Sequence, residues 1–145
     1  MTERMTIDQY NTKAANEMLE KTLQEHIRKL CVELRAIDPE LLYYHTHTSK
    51  YSPAGFPDVI IESPKQSFRV VAELKREHGR YQPSDEQVKW LDSAYSKHDW
   101  VYLWRPRHWF NGVIQYVITG YVKQFQFAIS SRDDGAWPNR ARVDR

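Results

Sequence analysis

Three ionisable residues near the middle of the chain stand apart by type and spacing. Asp58 follows Gly55, Phe56 and Pro57, and after 14 intervening residues come Glu73, Leu74 and Lys75. Asp58 opens one β-branched run, and Glu73 and Lys75 end the next. Residues two apart on a strand point to one face, so Glu73 and Lys75 share a face. If the two runs form a hairpin, Asp58 can lie opposite Glu73. Two carboxylates side by side repel unless a cation lies between them, and oxygen ligands suit Mg²⁺ or Mn²⁺. Lys75 then stands where it can meet an attacking water or a phosphate oxygen. These are the parts needed for metal-assisted phosphodiester hydrolysis. The ion polarises the phosphate and lowers the pKa of water, and the neighbouring cation stabilises the developing charge. Taken singly, Asp58 reads as a turn-capping residue, and Glu73 and Lys75 as a solvated strand face. Taken together they follow a run, Phe68 to Ala72, that reads as central. Charge at the end of a central strand is costly unless paired or used, so the joint pattern favours a metal site.

The elements that must position these residues follow from periodicity. From Ala15 to Arg35 the apolar residues Met18, Leu19, Leu23, Ile27, Leu30, Cys31 and Leu34 recur at threes and fours, which predicts an amphipathic helix. Asp38-Pro39 stops it, and residues 1–14 read as a polar lead-in. Leu41 to Thr48 predicts a strand and Ser49 to Gly55 a loop. Asp58–Glu62 and Phe68–Leu74 predict a hairpin around the turn 63–67. A polar loop runs from Arg76 to Pro83. Ser84 with Gln87 forms a capping box that opens a helix over 85–96. Trp100–Trp104 predicts a further strand. Pro106 precedes a segment with Trp109, Val113, Tyr116 and Val117 at helical spacing, which predicts a third helix. Val122 to Ile129 is compatible with a strand, and Ser130 to Arg145 reads as a loose tail. The order helix, strand, hairpin, helix, strand, helix implies an α/β domain, a small mixed β-sheet flanked by helices.

Composition bounds the rest. The chain has 145 residues, 41% hydrophobic and 28% charged, which suits one domain over 1–145. The core is expected over about 15–120, with 121–145 as an extension. Five Trp, nine Tyr and five Phe argue against disorder. The 21 Lys and Arg nearly balance 19 Asp and Glu, leaving +2, which excludes a polybasic wrapper or an acidic tail protein. Cys31 is the single cysteine, so an intrachain disulfide and a thiolate metal cluster are excluded. Its place on the helical stripe makes it a core residue. A reducing, cytoplasmic setting is expected. Met1 to Gln9 has no apolar region of a signal peptide, and no apolar run reaches membrane-spanning length.

The residues also resemble a known family. Pro57-Asp58, then Glu73-Leu74-Lys75, looks like the PD-(D/E)xK nuclease motif. Gly55-Phe56-Pro57-Asp58, Glu73-Leu74-Lys75, Gly79, Gln87, Trp90 and the string Trp100 to Pro106 resemble more closely its VRR-NUC branch, over roughly residues 17–118. The resemblance implies the restriction endonuclease-like core. It also implies a metal site built from Asp58, Glu73 and the Leu74 main-chain carbonyl, with Lys75 as the catalytic lysine. The family carries a glutamate on its first helix, followed after three residues by glutamine. Glu20 to Gln24 matches, and Glu20 lies along the edge of the buried stripe whereas Glu25 points elsewhere, so Glu20 is the preferred third carboxylate. Gln87 matches the family's helix glutamine near the lysine, although the capping box explains it without catalysis. By resemblance the activity is that of a Mg²⁺- or Mn²⁺-dependent DNA endonuclease, structure-selective on branched DNA in the manner of a Holliday junction resolvase. It would leave a 5′-phosphate and a 3′-hydroxyl. A homodimer, no membrane, no organic cofactor and, for a phage-encoded member, the host cytoplasm are implied with it. The rivals are a flap, end-processing or restriction-type nuclease of the same fold, and a non-catalytic nucleic-acid-binding module.

Other residues carry less. His45 and His47 alternate as half of a zinc site, but no cysteine or third histidine completes it. His47 reads better as a residue lining the DNA path. Lys50, Arg76 and Arg80 flank the motif as phosphate contacts, with Lys65, Lys89, Arg105 and Arg107 also expected near the site, so that binding weakens with salt. His78, His98 and His108 read as surface residues, and Trp100, Trp104 and Trp109 as core.

Overall fold

The computed structural model describes residues 4–46, 52–78, 82–124 and 133–138. Four strands form one sheet in the order β1-β2-β3-β4, with β1 Leu42–His45, β2 Val59–Glu62, β3 Val70–Leu74 and β4 Trp100–Trp104. β1 and β2 pair antiparallel, β2 and β3 pair antiparallel as the expected hairpin, and β3 and β4 run parallel. A small mixed sheet flanked by helices is thus what the chain forms.

β3 is buried along its whole length, because both faces of the sheet are covered there. Val70, Ala72 and Leu74 point into a core made by α2 (Glu20–Leu34) and α5 (Val113–Lys123). Val71 points the other way, against Leu91 and Ala94 of α3 (Asp85–Ser96). Alternation along the strand sends Glu73 to the α3 side as well. The α2 stripe is Leu23, Ile27, Cys31 and Leu34, all buried. On α5 the buried set is Val113, Ile114, Val117, Ile118, Tyr121 and Val122. Tyr121 ties this helix to the turn of the hairpin. Its hydroxyl donates to the Phe68 carbonyl at 2.6 Å and accepts from the Ser63 N–H at 3.0 Å.

Several expectations need correction. The polar lead-in contains a helix, α1 (Ile7–Glu17). Thr6 and Gln9 form a capping box that supplies its start without any apolar stripe. The second helix consequently begins at Glu20 rather than Ala15, because Met18 and Leu19 are extended between the two. The single helix expected after Pro106 is two, α4 (Pro106–Phe110) and α5. Gly112 at φ 81 turns the chain between them. α5 runs to Lys123, so Val122 is helical; residues 125–129 lie outside the described residues.

The tail also has structure. Residues 133–138 lie along the outer edge of β4, with an antiparallel bridge between Tyr102 and Ala136. The Leu103 N–H donates to the Gly135 carbonyl and the Trp137 N–H to the Val101 carbonyl, each at 2.8 Å. This pairing satisfies main-chain groups that an edge strand would otherwise leave open. No described helix is long and apolar enough to cross a membrane.

Candidate active site

The hairpin register brings the sequence motif together. Val59 pairs with Ala72, so one step further Asp58 faces Glu73. The Asp58 carboxylate accepts the Leu74 N–H at 2.8 Å across this open end of the hairpin. Pro57 and Asp58 are themselves braced from β1's end. Thr46 donates its hydroxyl to the Pro57 carbonyl at 2.9 Å and its N–H to the Asp58 carbonyl at 3.0 Å. Thr46 carried no signal beyond its place in a Thr-rich strand.

Glu73 is 2% exposed. Its Oε1 accepts from Gln87 Nε2 at 2.9 Å and lies 3.8 Å from Lys75 Nζ. Its Oε2 is buried with no hydrogen-bonding partner. Burial drives the Glu73 carboxyl well above the usual carboxylate range, and neighbouring Asp58 pushes it further in the same direction. Two ionised carboxylates offer only acceptors to each other. Either a shared proton or a cation must join them.

Gln87 closes the expected capping box and also reaches inward to Glu73. As the third residue of α3 its side-chain oxygen accepts the Ser84 N–H at 2.8 Å, while the Ser84 hydroxyl accepts the Gln87 N–H at 3.2 Å. Its amide nitrogen is thereby left free to point at Glu73. The turn of α3 that holds Gln87 is reached by Gly55. At φ 78, Gly55 sits so close that a Cβ there would lie 2.4 Å from the Glu86 main-chain carbon. Phe56 and Trp90 stack edge to face at 5.1 Å, and Trp90 Nε1 donates to the Ala54 carbonyl at 3.1 Å. The loop before Asp58 is thus fastened to the helix that carries Gln87.

Glu20, the first residue of α2, is half-buried and faces the same end of the sheet. Burial raises its carboxyl, Lys75 lowers it, Asp58 raises it and the Arg76 N–H lowers it. Glu20 therefore feels the site's charges. Among the described residues, however, no three His, Cys, Asp or Glu side chains are grouped closely enough to hold a metal ion. The tight unit is Asp58 with Glu73, and Glu20 stands beside it. The donors that the structure brings together for a hard cation are the two carboxylates, and the unpartnered Glu73 Oε2 fits such an ion.

Of the expected phosphate contacts, His47, Lys50 and Arg80, like Gly79, lie outside the described residues. Arg76 is half-buried directly after Lys75. Lys65 is not near the site. It sits at the closed end of the hairpin, 3.4 Å from Asp38, the length of β3 away from Asp58. Arg105 is buried rather than displayed, and Arg107 pairs with Glu77 and Asp133. Lys89 is exposed on α3. His108 is 1% exposed, not a surface residue, because its Nδ1 accepts the Arg105 N–H at 2.9 Å. His78 and His98 are exposed. Trp104 is fully buried, with Trp100 and Trp109 packed against the core. His45 ends β1, and among the described residues it belongs to no group of three or more metal-ligating side chains.

No protein-family model matches the chain, and neither a curated protein nor a solved structure matches it. The functional reading therefore rests on the residues themselves.

Proposed function

We propose that the chain is a Mg²⁺- or Mn²⁺-dependent DNA endonuclease with a PD-(D/E)xK core, acting on branched DNA and working as a homodimer. The observation that carries the reading is the buried Glu73 carboxyl, one oxygen of which has no partner, beside the half-buried Asp58 and with the Lys75 ammonium alongside. A plain structural role would leave that acid pair at the end of a central strand as a cost with no return.

Asp58, Glu73 and the Leu74 carbonyl would hold the ion, which when bound supplies polarisation of the phosphate and a more acidic water. The chain's own residues set the rest. Gln87 fixes the orientation of Glu73 by donating to one oxygen, so that the other is presented. The Leu74 N–H does the same for Asp58. Lys75 offers a cation, 14% exposed along its side chain, to the charge that develops on the transferred phosphate. Glu20, with its raised carboxyl, stands close enough to Lys75 to steady the ammonium or to accept a proton from water.

The deciding experiment is cleavage of junction, flap and linear duplex DNA by wild type and Asp58→Ala, with Mg²⁺, Mn²⁺ or a chelator. The expected outcome is ion-dependent cutting by wild type, fastest on junctions, and none by the variant. Absence of ion-dependent cutting, or cutting by Asp58→Ala equal to wild type, sinks the nuclease reading. Equal rates on junction and linear duplex sink branch selectivity alone.

A further inference from the structure

Beside the acid pair lies a second group of charged residues that the reaction does not use. Arg105 follows β4, is buried, and its Nη1 donates to the carbonyls of Arg76 at 2.6 Å and His78 at 3.2 Å. Arg107 holds the residue between them. Its N–H donates to Glu77 Oε1 at 3.0 Å and its Nη1 lies 3.4 Å from Glu77 Oε2. The same guanidinium donates from Nε to Asp133 Oδ2 at 2.9 Å. Asp133 is gripped once more by His108, whose Nε2 is 3.0 Å from Oδ1. His108 also accepts the Arg105 N–H on Nδ1 at 2.9 Å, which ties it to the start of the same stretch.

Three consecutive residues directly after Lys75 are therefore held by one short stretch, Arg105 to His108, and that stretch is held in turn by Asp133. Exposed ion pairs hold little in isolation, and the Arg107 and Asp133 side chains are 47% and 55% exposed. Here the arginine joins two segments that are anchored independently. Glu77 is only 11% exposed, and the far segment is already paired to β4.

We propose that Arg105 and Arg107 are positioning residues for Lys75, and that the segment 133–138 takes part through Asp133. The proposal rests on the reading of Lys75 as the cation beside the phosphate. A lysine side chain has four rotatable carbons and brings no fixed direction of its own. Its aim comes from the main chain on either side. Before Lys75 that chain is β3, and the Lys75 N–H is fixed by the Trp104 carbonyl at 3.0 Å. After Lys75 regular structure ends; the Arg76 N–H faces the Glu20 carboxyl, and the carbonyls of Arg76 and His78 and the Glu77 carboxylate are further handles on this turn. Arg105 and Arg107 occupy these last three. The sequence puts both arginines only near the site, since nothing in their spacing shows that their partners are main-chain oxygens and acids.

The test uses the full chain and the variants Arg107→Ala, Arg107→Lys, Asp133→Asn and Arg105→Lys. One readout needs no nuclease activity: the rate of trypsin cleavage after Lys75 and Arg76 under native conditions, followed by mass. Arg107→Ala and Asp133→Asn are expected to raise that rate severalfold while sites in α2 and α5 stay protected, with Arg107→Lys in between. The second readout is steady-state cleavage of junction DNA. There Arg107→Ala is expected to lower kcat about tenfold with KM within about twofold, as for a misplaced catalytic group, and Arg107→Lys to recover part of it. If wild type cuts no DNA, the functional reading falls and proteolysis alone judges the coupling. Unchanged trypsin rates at Lys75 and Arg76 in Arg107→Ala and Asp133→Asn overturn the proposal, as does an unchanged kcat in an active enzyme. If Arg107→Ala is cut at all tryptic sites alike, the chain has unfolded, and Asp133→Asn and Arg105→Lys decide by the same criteria.

Discussion

Gln87 answers two demands with one side chain. Its oxygen closes the capping box on Ser84 and its nitrogen holds Glu73. The two roles separate by substitution. Gln87→Glu retains a residue type that serves in a capping box but replaces the donor to Glu73 with an acceptor and adds a third acid. In chelator at neutral pH, Gln87→Glu is expected to be less stable than wild type by about 1–3 kcal/mol, the cost of a buried acceptor left unmatched. Gln87→Ala should lose about 1 kcal/mol from the cap alone plus the lost donor. Urea unfolding of the two variants measures this. Stability of Gln87→Glu equal to wild type would mean that Gln87 serves only the helix. The capping role was legible from Ser84 and Gln87 three apart. The contact to Glu73 was not legible, since the resemblance placed Gln87 only near the lysine and nothing local reports which way a half-buried side chain turns.

At the level of elements, the site is made where three termini meet: the open end of the β2–β3 hairpin, the first turn of α3 and the first residue of α2. The hairpin register decides that Asp58 and Glu73 are neighbours, and the register is held at the closed end by Tyr121 and by Ser63 donating to Asp38 at 2.6 Å. Gly55 decides how close the Asp58 loop comes to α3. Gly55→Ala meets both a left-handed φ, costing about 1–2 kcal/mol for an L-residue, and main chain at 2.4 Å. The expected result is a loss of more than about 2 kcal/mol in denaturant unfolding, together with weaker ion-dependent cutting as the loop backs away. A variant as stable and active as wild type would show that the loop adapts without cost. The glycine was visible as a turn residue, but the helix it touches lies some thirty residues on and is brought near only by the crossover from β3 to β4.

For the whole molecule the acid pair links folding, protons and metal. The folded pKa of Glu73 is raised above its ordinary value of 4.5. A group shifted in that direction adds stability at pH below the ordinary value and loses it as pH rises through the folded pKa. In chelator the melting temperature is therefore expected to fall as pH increases from about 5 toward 9. Mg²⁺ or Mn²⁺ favours the ionised pair, so the stabilisation by added ion should grow over the same span. Glu73→Gln should flatten both curves. Thermal melts across pH, with ion and with chelator, supply the measurement; parallel curves in wild type would rule out coupling between Glu73 and a cation. The same reversal gives meaning to a net charge of only +2. On the proposed function, a cation held by these acids would turn repulsion of phosphate into attraction.

What the sequence determined by itself is what short-range physics controls. α3 over 85–96 and β4 over 100–104 lie where a capping box and an apolar aromatic run put them. The hairpin, and with it the proximity of Asp58, Glu73 and Lys75, follows from a period of two and an intervening turn. The tertiary structure decided the rest. Helix α1 depends on a cap and on packing against α4, with no apolar period to announce it. The start of α2, which puts Glu20 at its tip, depends on that first helix. The docking of 133–138 depends on an open strand edge supplied by residues thirty positions earlier. Arg105 and His108 read as surface residues because a side chain's burial is set by what folds over it; Arg107 is exposed as read, but its partners Glu77 and Asp133 come from distant parts of the chain.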